Sequence, residues 1–119
     1  MAYDEGLAER IRELLAEESG VEEKRMFGGI AFLLHGNMSV GVVKDTLMVR
    51  VGPDAHPVLV GERHAREMDF TGKPMKGFVY VAPEGLESDA DLRRWVDHGV
   101  AYARSLPRKR SGRAGEGRA

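Results

Sequence analysis

The sequence predicts a single α+β domain in which helices cover an antiparallel sheet, in the order α-β-β-β-α-β-β-α. Three observations carry that prediction. Apolar residues recur at helical spacing only near the two ends, at Leu7, Ile11, Leu14 and Leu15 and again at Leu92, Trp95, Val96, Gly99, Val100 and Ala103. Between them the period falls to two, in short apolar runs joined by polar turns. A chain of 119 residues, 42% apolar and 31% charged, has material for one core and too little for two.

The first helix has Asp4 as its candidate N-cap, Glu9, Arg10, Glu13 and Glu17 on its wet side, and Gly20 as its stop. Strands are predicted at Ile30–His35, Met38–Val43 and Thr46–Val51, with His35-Gly36-Asn37 and Lys44-Asp45 as hairpin connections. In the third of these, Leu47, Val49 and Val51 face one way and Met48 and Arg50 the other, so one face of the sheet should be buried and one wetter. Gly52-Pro53-Asp54 breaks the strand, and 54–60 reads as a short helix interrupted by Pro57 and ended by Gly61. Val58, Leu59 and Val60 are bulky for so short an element and suit either core or a self-association surface. Residues 62–76 read as irregular, with strands at Met68–Phe70 and Gly77–Val81 around the turn Gly72-Lys73-Pro74. Ser88 caps the last helix, Asp89 and Asp91 suit the positive end of its dipole, and Pro107 stops it. Gly99, inside the apolar stripe, implies a close approach to the sheet.

Charge divides the chain into a domain, 1–106, and a basic tail, 107–119, expected to be disordered. The tail holds Arg108, Lys109, Arg110, Arg113 and Arg118 against Glu116, a net +4, which leaves −5 on the rest of a chain whose total is −1. The absence of cysteine excludes disulfides, thiol nucleophiles and thiolate metal sites. No apolar run approaches the roughly 18 residues of a membrane span, and the acidic start Met1-Ala2-Tyr3-Asp4-Glu5 does not resemble a signal peptide. A cytoplasmic protein with no membrane contact is expected.

Catalytic machinery is not legible. Gly28-Gly29 matches neither nucleotide-binding glycine pattern and reads as a bulge or tight bend leading into a strand. His35, His56, His64 and His98 show no paired spacing; His35 and His98 read as surface residues. Glu17-Glu18 and Glu22-Glu23 read as solvated charges at a helix end. No cofactor, metal or catalytic residue is therefore expected, and the chain is read as not an enzyme. The candidate binding residues are Lys24, Arg25 and Phe27 before the first long strand and Lys73, Met75 and Lys76 in the irregular segment. If both loops met at one end of the sheet, they would form a cationic patch with apolar contacts, extended by Arg108, Lys109 and Arg110 and attractive to phosphate or acidic partners. Scattered solvated lysines are the plainer alternative.

Arg25-Met26-Phe27-Gly28-Gly29, Gly36-x-Met38 and Leu47-x-Val49-Arg50, followed by Phe70-x-Gly72-Lys73-Pro74-Met75, Tyr80, Pro83, Leu92 and Trp95, resemble the N-terminal domain of the TfoX/Sxy competence-regulator family over roughly residues 5–106. That resemblance implies an α+β fold similar to secretion-chaperone-like domains, often self-associating. It also implies a non-enzymatic role as co-regulator of DNA-uptake genes beside a cyclic-AMP-type transcription activator. Full-length members carry a second, helical domain, and this chain is expected to be the stand-alone N-terminal one. The expectation is a protein-interaction or regulatory module with a protein partner and possible homodimerisation. The alternative is a nucleic-acid-binding accessory protein using the tail and the Lys/Arg patch.

Overall fold

The computed structural model describes residues 3–26, 28–70 and 73–107. Its element order is α1 (Glu5–Leu14), β1 (Val21–Met26), β2 (Gly29–Leu34), β3 (Asn37–Val43), β4 (Thr46–Arg50), α2 (His56–Leu59), β5 (Ala65–Phe70), β6 (Lys73–Val81), a 3-10 turn at Pro83–Leu86, and α3 (Asp89–Ser105). The six strands form one sheet in the order β1-β2-β3-β4-β6-β5, with every neighbouring pair antiparallel. The α+β class and the antiparallel sheet stand as expected.

The expected element order lacks one strand. Residues 21–26, which include the expected helix-end pair Glu22-Glu23, form β1, paired with β2 from Val21↔Leu34 to Met26↔Gly29. Its four central residues are all exposed, so no apolar alternation marks it; the pairing itself makes the strand. The irregular segment is likewise more ordered than expected, because β5 and β6 begin earlier than their apolar residues do. Pro57 does not interrupt α2 but sits in its first turn, where a missing N–H costs nothing.

Both long helices are capped as expected: Asp4 Oδ1 accepts from Leu7 N–H at 3.1 Å and Ser88 Oγ from Asp91 N–H at 3.0 Å. Gly20 does not end α1, which closes five residues earlier at Leu15. Instead Gly20, at φ 74°, turns the chain into β1, and its carbonyl accepts from His35 N–H at 2.9 Å.

The inner face of the sheet holds the main core. Ile30, Phe32, Val40, Val42, Leu47, Val49, Val79 and Val81 pack there against Leu7, Ile11 and Leu15 of α1 and Leu92, Trp95 and Val96 of α3. Trp95 is 1% exposed, as its apolar stripe required. The close approach expected at Gly99 is present, since a Cβ there would lie 2.5 Å from the Ser39 carbonyl oxygen and 2.7 Å from Val40 Cγ1. No helix among the described residues is long and apolar enough to cross a membrane.

The outer face differs from the wetter surface expected. It carries a second apolar cluster of Ala31, Leu33, Met38, Met48 and Met68, all buried. Leu33 lies on this side by alternation with Ala31, and a register shift at Phe32/Leu33 sets Met38 opposite it, on the side away from Val40 and Val42. Methionine, unbranched and flexible, lies flat enough to bury itself within the sheet surface: a Cβ on Gly41 would collide with Met48 Cε.

Candidate functional site

Strand pairing places one transverse line of residues across all six strands of the outer face: Lys24, Ala31, Gly41, Met48, Tyr80 and Arg66, each opposite the next. A parallel line brings Arg50 opposite Phe78. Small Ala31 and Gly41 keep the middle shallow, and Tyr80 and Phe78 stand half-buried beside Met48 and Met68. The Arg66 guanidinium lies 4.7 Å from the Tyr80 ring centroid. That of Arg50 lies between two rings, 5.8 Å from Phe78 and 5.3 Å from Tyr102 of α3. At these distances each guanidinium is within reach of a cation–π attraction to its ring.

Every described member of the outer apolar cluster belongs to a strand, whereas α1, α2 and α3 all contribute to the inner core. The resulting patch is apolar at its centre and carries arginine and tyrosine at its margin. Sequence reasoning missed Arg66 and Tyr80 because they lie fourteen positions apart in segments with no shared motif. Only the β5–β6 pairing brings them together.

The candidate binding residues are spread out. Lys24 and Arg25 are exposed on β1, not in a loop, and point to opposite faces: Lys24 shares the outer face with Ala31, and Arg25 shares the inner face with Ile30. The Arg25 guanidinium lies 5.9 Å from the Tyr3 ring. Lys73, Met75 and Lys76 belong to β6; their side chains, like Phe27, Arg108, Lys109 and Arg110, lie outside the described residues. Strands β2, β3 and β4 separate β1 from β6, a lateral distance of roughly 19 Å at about 4.8 Å per strand. One loop-end patch joining Lys24 with the lysines of β6 is therefore not what the strand order builds.

The edge strand β1 has its own electrostatics. Arg12 of α1 grips Glu23 with two hydrogen bonds, Nε to Oε2 at 2.7 Å and Nη2 to Oε1 at 2.9 Å, and reaches Glu9 at 3.0 Å. The hydrogen bonds from Arg12 hold the Glu23 carboxyl below the usual glutamate range against a smaller opposing effect of burial, and the same bonds raise the Arg12 guanidinium. Glu18, another of the expected helix-end charges, pairs with Arg104. On the helix side, Arg10 pairs with Asp89 at 3.3 Å in the groove between α1 and α3.

The remaining sequence candidates have structural roles. His56 is 8% exposed on α2 with its Nε2 3.7 Å from Glu67 of β5. His98 is half-buried with its ring 5.9 Å from that of Trp95. Leu59 and Val60 join the inner core, and Val58, at 74% exposure, stands alone as the exposed large apolar residue among those described.

The model of the TfoX N-terminal domain matches residues 13–103. No curated protein and no solved structure matches the chain. The matched span takes in α1 from Glu13 through most of α3, which is to say the whole sheet, and the chain belongs to that family.

Proposed function

We propose that this member of the TfoX N-terminal domain family is a cytoplasmic, non-catalytic protein-interaction module. It would act in transcriptional regulation of the competence-regulator kind and dock a protein partner, such as a transcription activator, on the outer face of its sheet. The observation that carries this reading is the patch around Tyr80. Methionine, tyrosine, phenylalanine and arginine are the residues enriched where proteins bind one another, and here they share one strand-built face. Half-buried Tyr80 and Phe78 supply the reachable aromatic area over the fully buried Met48 and Met68, and Arg66 and Arg50 supply donors at its margin. The charge balance favours a protein over a nucleic acid, since residues 1–106 carry a net −5 that opposes a phosphate backbone.

The test is site-specific photocross-linking in the native cell. A cross-linking residue at Tyr80 should capture a discrete protein, and the same residue at exposed Arg93, on the helix side, should not. Arg66→Glu should abolish the adduct at position 80 without unfolding the domain. Identical capture from both positions, or capture of nucleic acid alone from position 80, would overturn the reading.

A further inference from the structure

We propose that β1 is a self-association edge: two copies pair their β1 strands antiparallel about a two-fold axis at Glu23, joining two six-stranded sheets into one. This surface lies across the sheet from Tyr80 and does not depend on the function proposed above.

The backbone supplies the first part of the argument. β1 is the outermost strand, and apart from β2 no described backbone group bonds to it. The His35 N–H to Gly20 carbonyl bond marks Gly20/His35 as a hydrogen-bonded pair of the β1–β2 ladder. Such pairs alternate in an antiparallel ladder, so Glu22, Lys24 and Met26 turn their backbone groups toward β2. Val21, Glu23 and Arg25 turn theirs outward. The edge contains no proline, and its register against β2 runs without a shift from Val21 to Met26.

Charge supplies the second part. Charged edges normally block pairing, because an identical strand brings like charges together. In this strand the signs reverse midway, Glu22-Glu23-Lys24-Arg25. Two strands related by an axis normal to the sheet must oppose residues that share a face, so the axis passes through a residue. With the axis at Glu23, Val21 opposes the partner's Arg25, and every outward N–H and C=O from Val21 to Arg25 finds a partner. On the outer face Glu22 then opposes the partner's Lys24, and Lys24 the partner's Glu22. Both are exposed, and neither has an ion-pair partner among the described residues. Glu23 faces its own copy, but each arrives already neutralised by the two bonds from Arg12. An axis at Lys24 would instead set two lysines without counter-ions against each other and leave the Val21 edge groups unpaired. The charge pattern therefore selects one register.

Strand pairing alone covers less than the roughly 1,000 Å² of a stable interface, so the association should depend on concentration. Sedimentation velocity of the full chain across the micromolar to millimolar range should give a monomer–dimer equilibrium. Lys24→Glu and Glu22→Lys each turn two attractive cross-strand pairs into repulsive ones and should raise the dissociation constant by at least about tenfold. The double variant Glu22→Lys/Lys24→Glu restores both pairs and should restore the dimer. Arg25→Pro removes an outward N–H while sparing the β2 ladder, and should abolish association with an unchanged circular dichroism spectrum. A chain that stays monomeric at every concentration would overturn the proposal. So would a dimer indifferent to the single reversals, or one that the double variant fails to recover.

Discussion

Replacing Gly29 by alanine should destabilise the fold more than replacing Gly28, although Gly28 is the residue with the unusual backbone. Gly28 sits at φ 76°, and a Cβ there would meet nothing within 4 Å. Its substitution therefore costs only the left-handed conformation, about 1–2 kcal/mol for alanine and less for asparagine, which tolerates that region. Gly29 has the opposite problem. A Cβ on it would lie 2.9 Å from the Val42 carbonyl carbon and 3.1 Å from Val43 Cα, and nearer still to the Val42 oxygen, all backbone of β3. Ordinary carbon contacts begin near 3.5 Å, so β2 and β3 must part locally by roughly 1 Å or more. Overpacking of that kind costs about 1–3 kcal/mol, and loosening the neighbouring Ile30↔Val42 pairing adds about 1 kcal/mol for each bond weakened. Gly29→Ala should thus lose about 3 kcal/mol, a large part of a typical 5–15 kcal/mol. Urea unfolding followed by the fluorescence of buried Trp95 measures all three variants on one probe. The reasoning fails if Gly29→Ala proves as mild as Gly28→Ala, or if Gly28→Asn is no milder than Gly28→Ala.

At Gly99, alanine would gain about 1 kcal/mol of helix propensity at an exposed site, yet here its Cβ would press on the Ser39 carbonyl. Gly99→Ala should lower the denaturation midpoint, and a rise would show that α3 does not sit as close to β3 as described. Because hydrogen bonding from Arg12 lowers the Glu23 carboxyl, that pair stabilises fully above the unfolded glutamate value of about 4.3 and is lost as the pH falls through the lower folded value. The stability advantage of wild type over Glu23→Gln should accordingly be level above about pH 5.5 and shrink below about pH 4. An advantage that grows on acidification would contradict the pairing.

What the sequence made legible, and what it hid, follows from burial. α1 and α3 announce themselves because each buries one stripe, Leu7–Ile11–Leu15 in one and Leu92–Trp95–Val96–Gly99 in the other. Strands β2, β3 and β4 were legible because Ile30, Phe32, Val40, Val42, Leu47 and Val49 recur at a period of two on the inner face. β1 was invisible for the converse reason: its central residues are solvated on both faces, and only the hairpin partner makes them a strand. The outer face was misread because Met48 looked like the wetter alternate of Leu47 and Val49, whereas a six-strand surface buries it completely. The Arg66–Tyr80 stack depended on the β5–β6 register, and that register shifts between Glu67 and Asp69 in a way no periodicity encodes.

The Arg25-Met26-Phe27-Gly28-Gly29 run gains a physical meaning from β1. Met26 packs half-buried against the outer cluster, opposite Gly29. Only two residues separate Met26 from Gly29, and Gly28 takes the positive φ that so short a connection requires. A connection this tight fixes the register of β1 on β2, and a slip of one residue would exchange every inward and outward side chain on the strand. Glu23 would then leave Arg12, and Glu22 and Lys24 would leave the outer face. The glycines thus do no chemistry of their own, yet they decide which charges the edge of the sheet displays and which backbone groups it offers. A motif that sets a register in this way can matter for recognition without a single one of its atoms touching a partner.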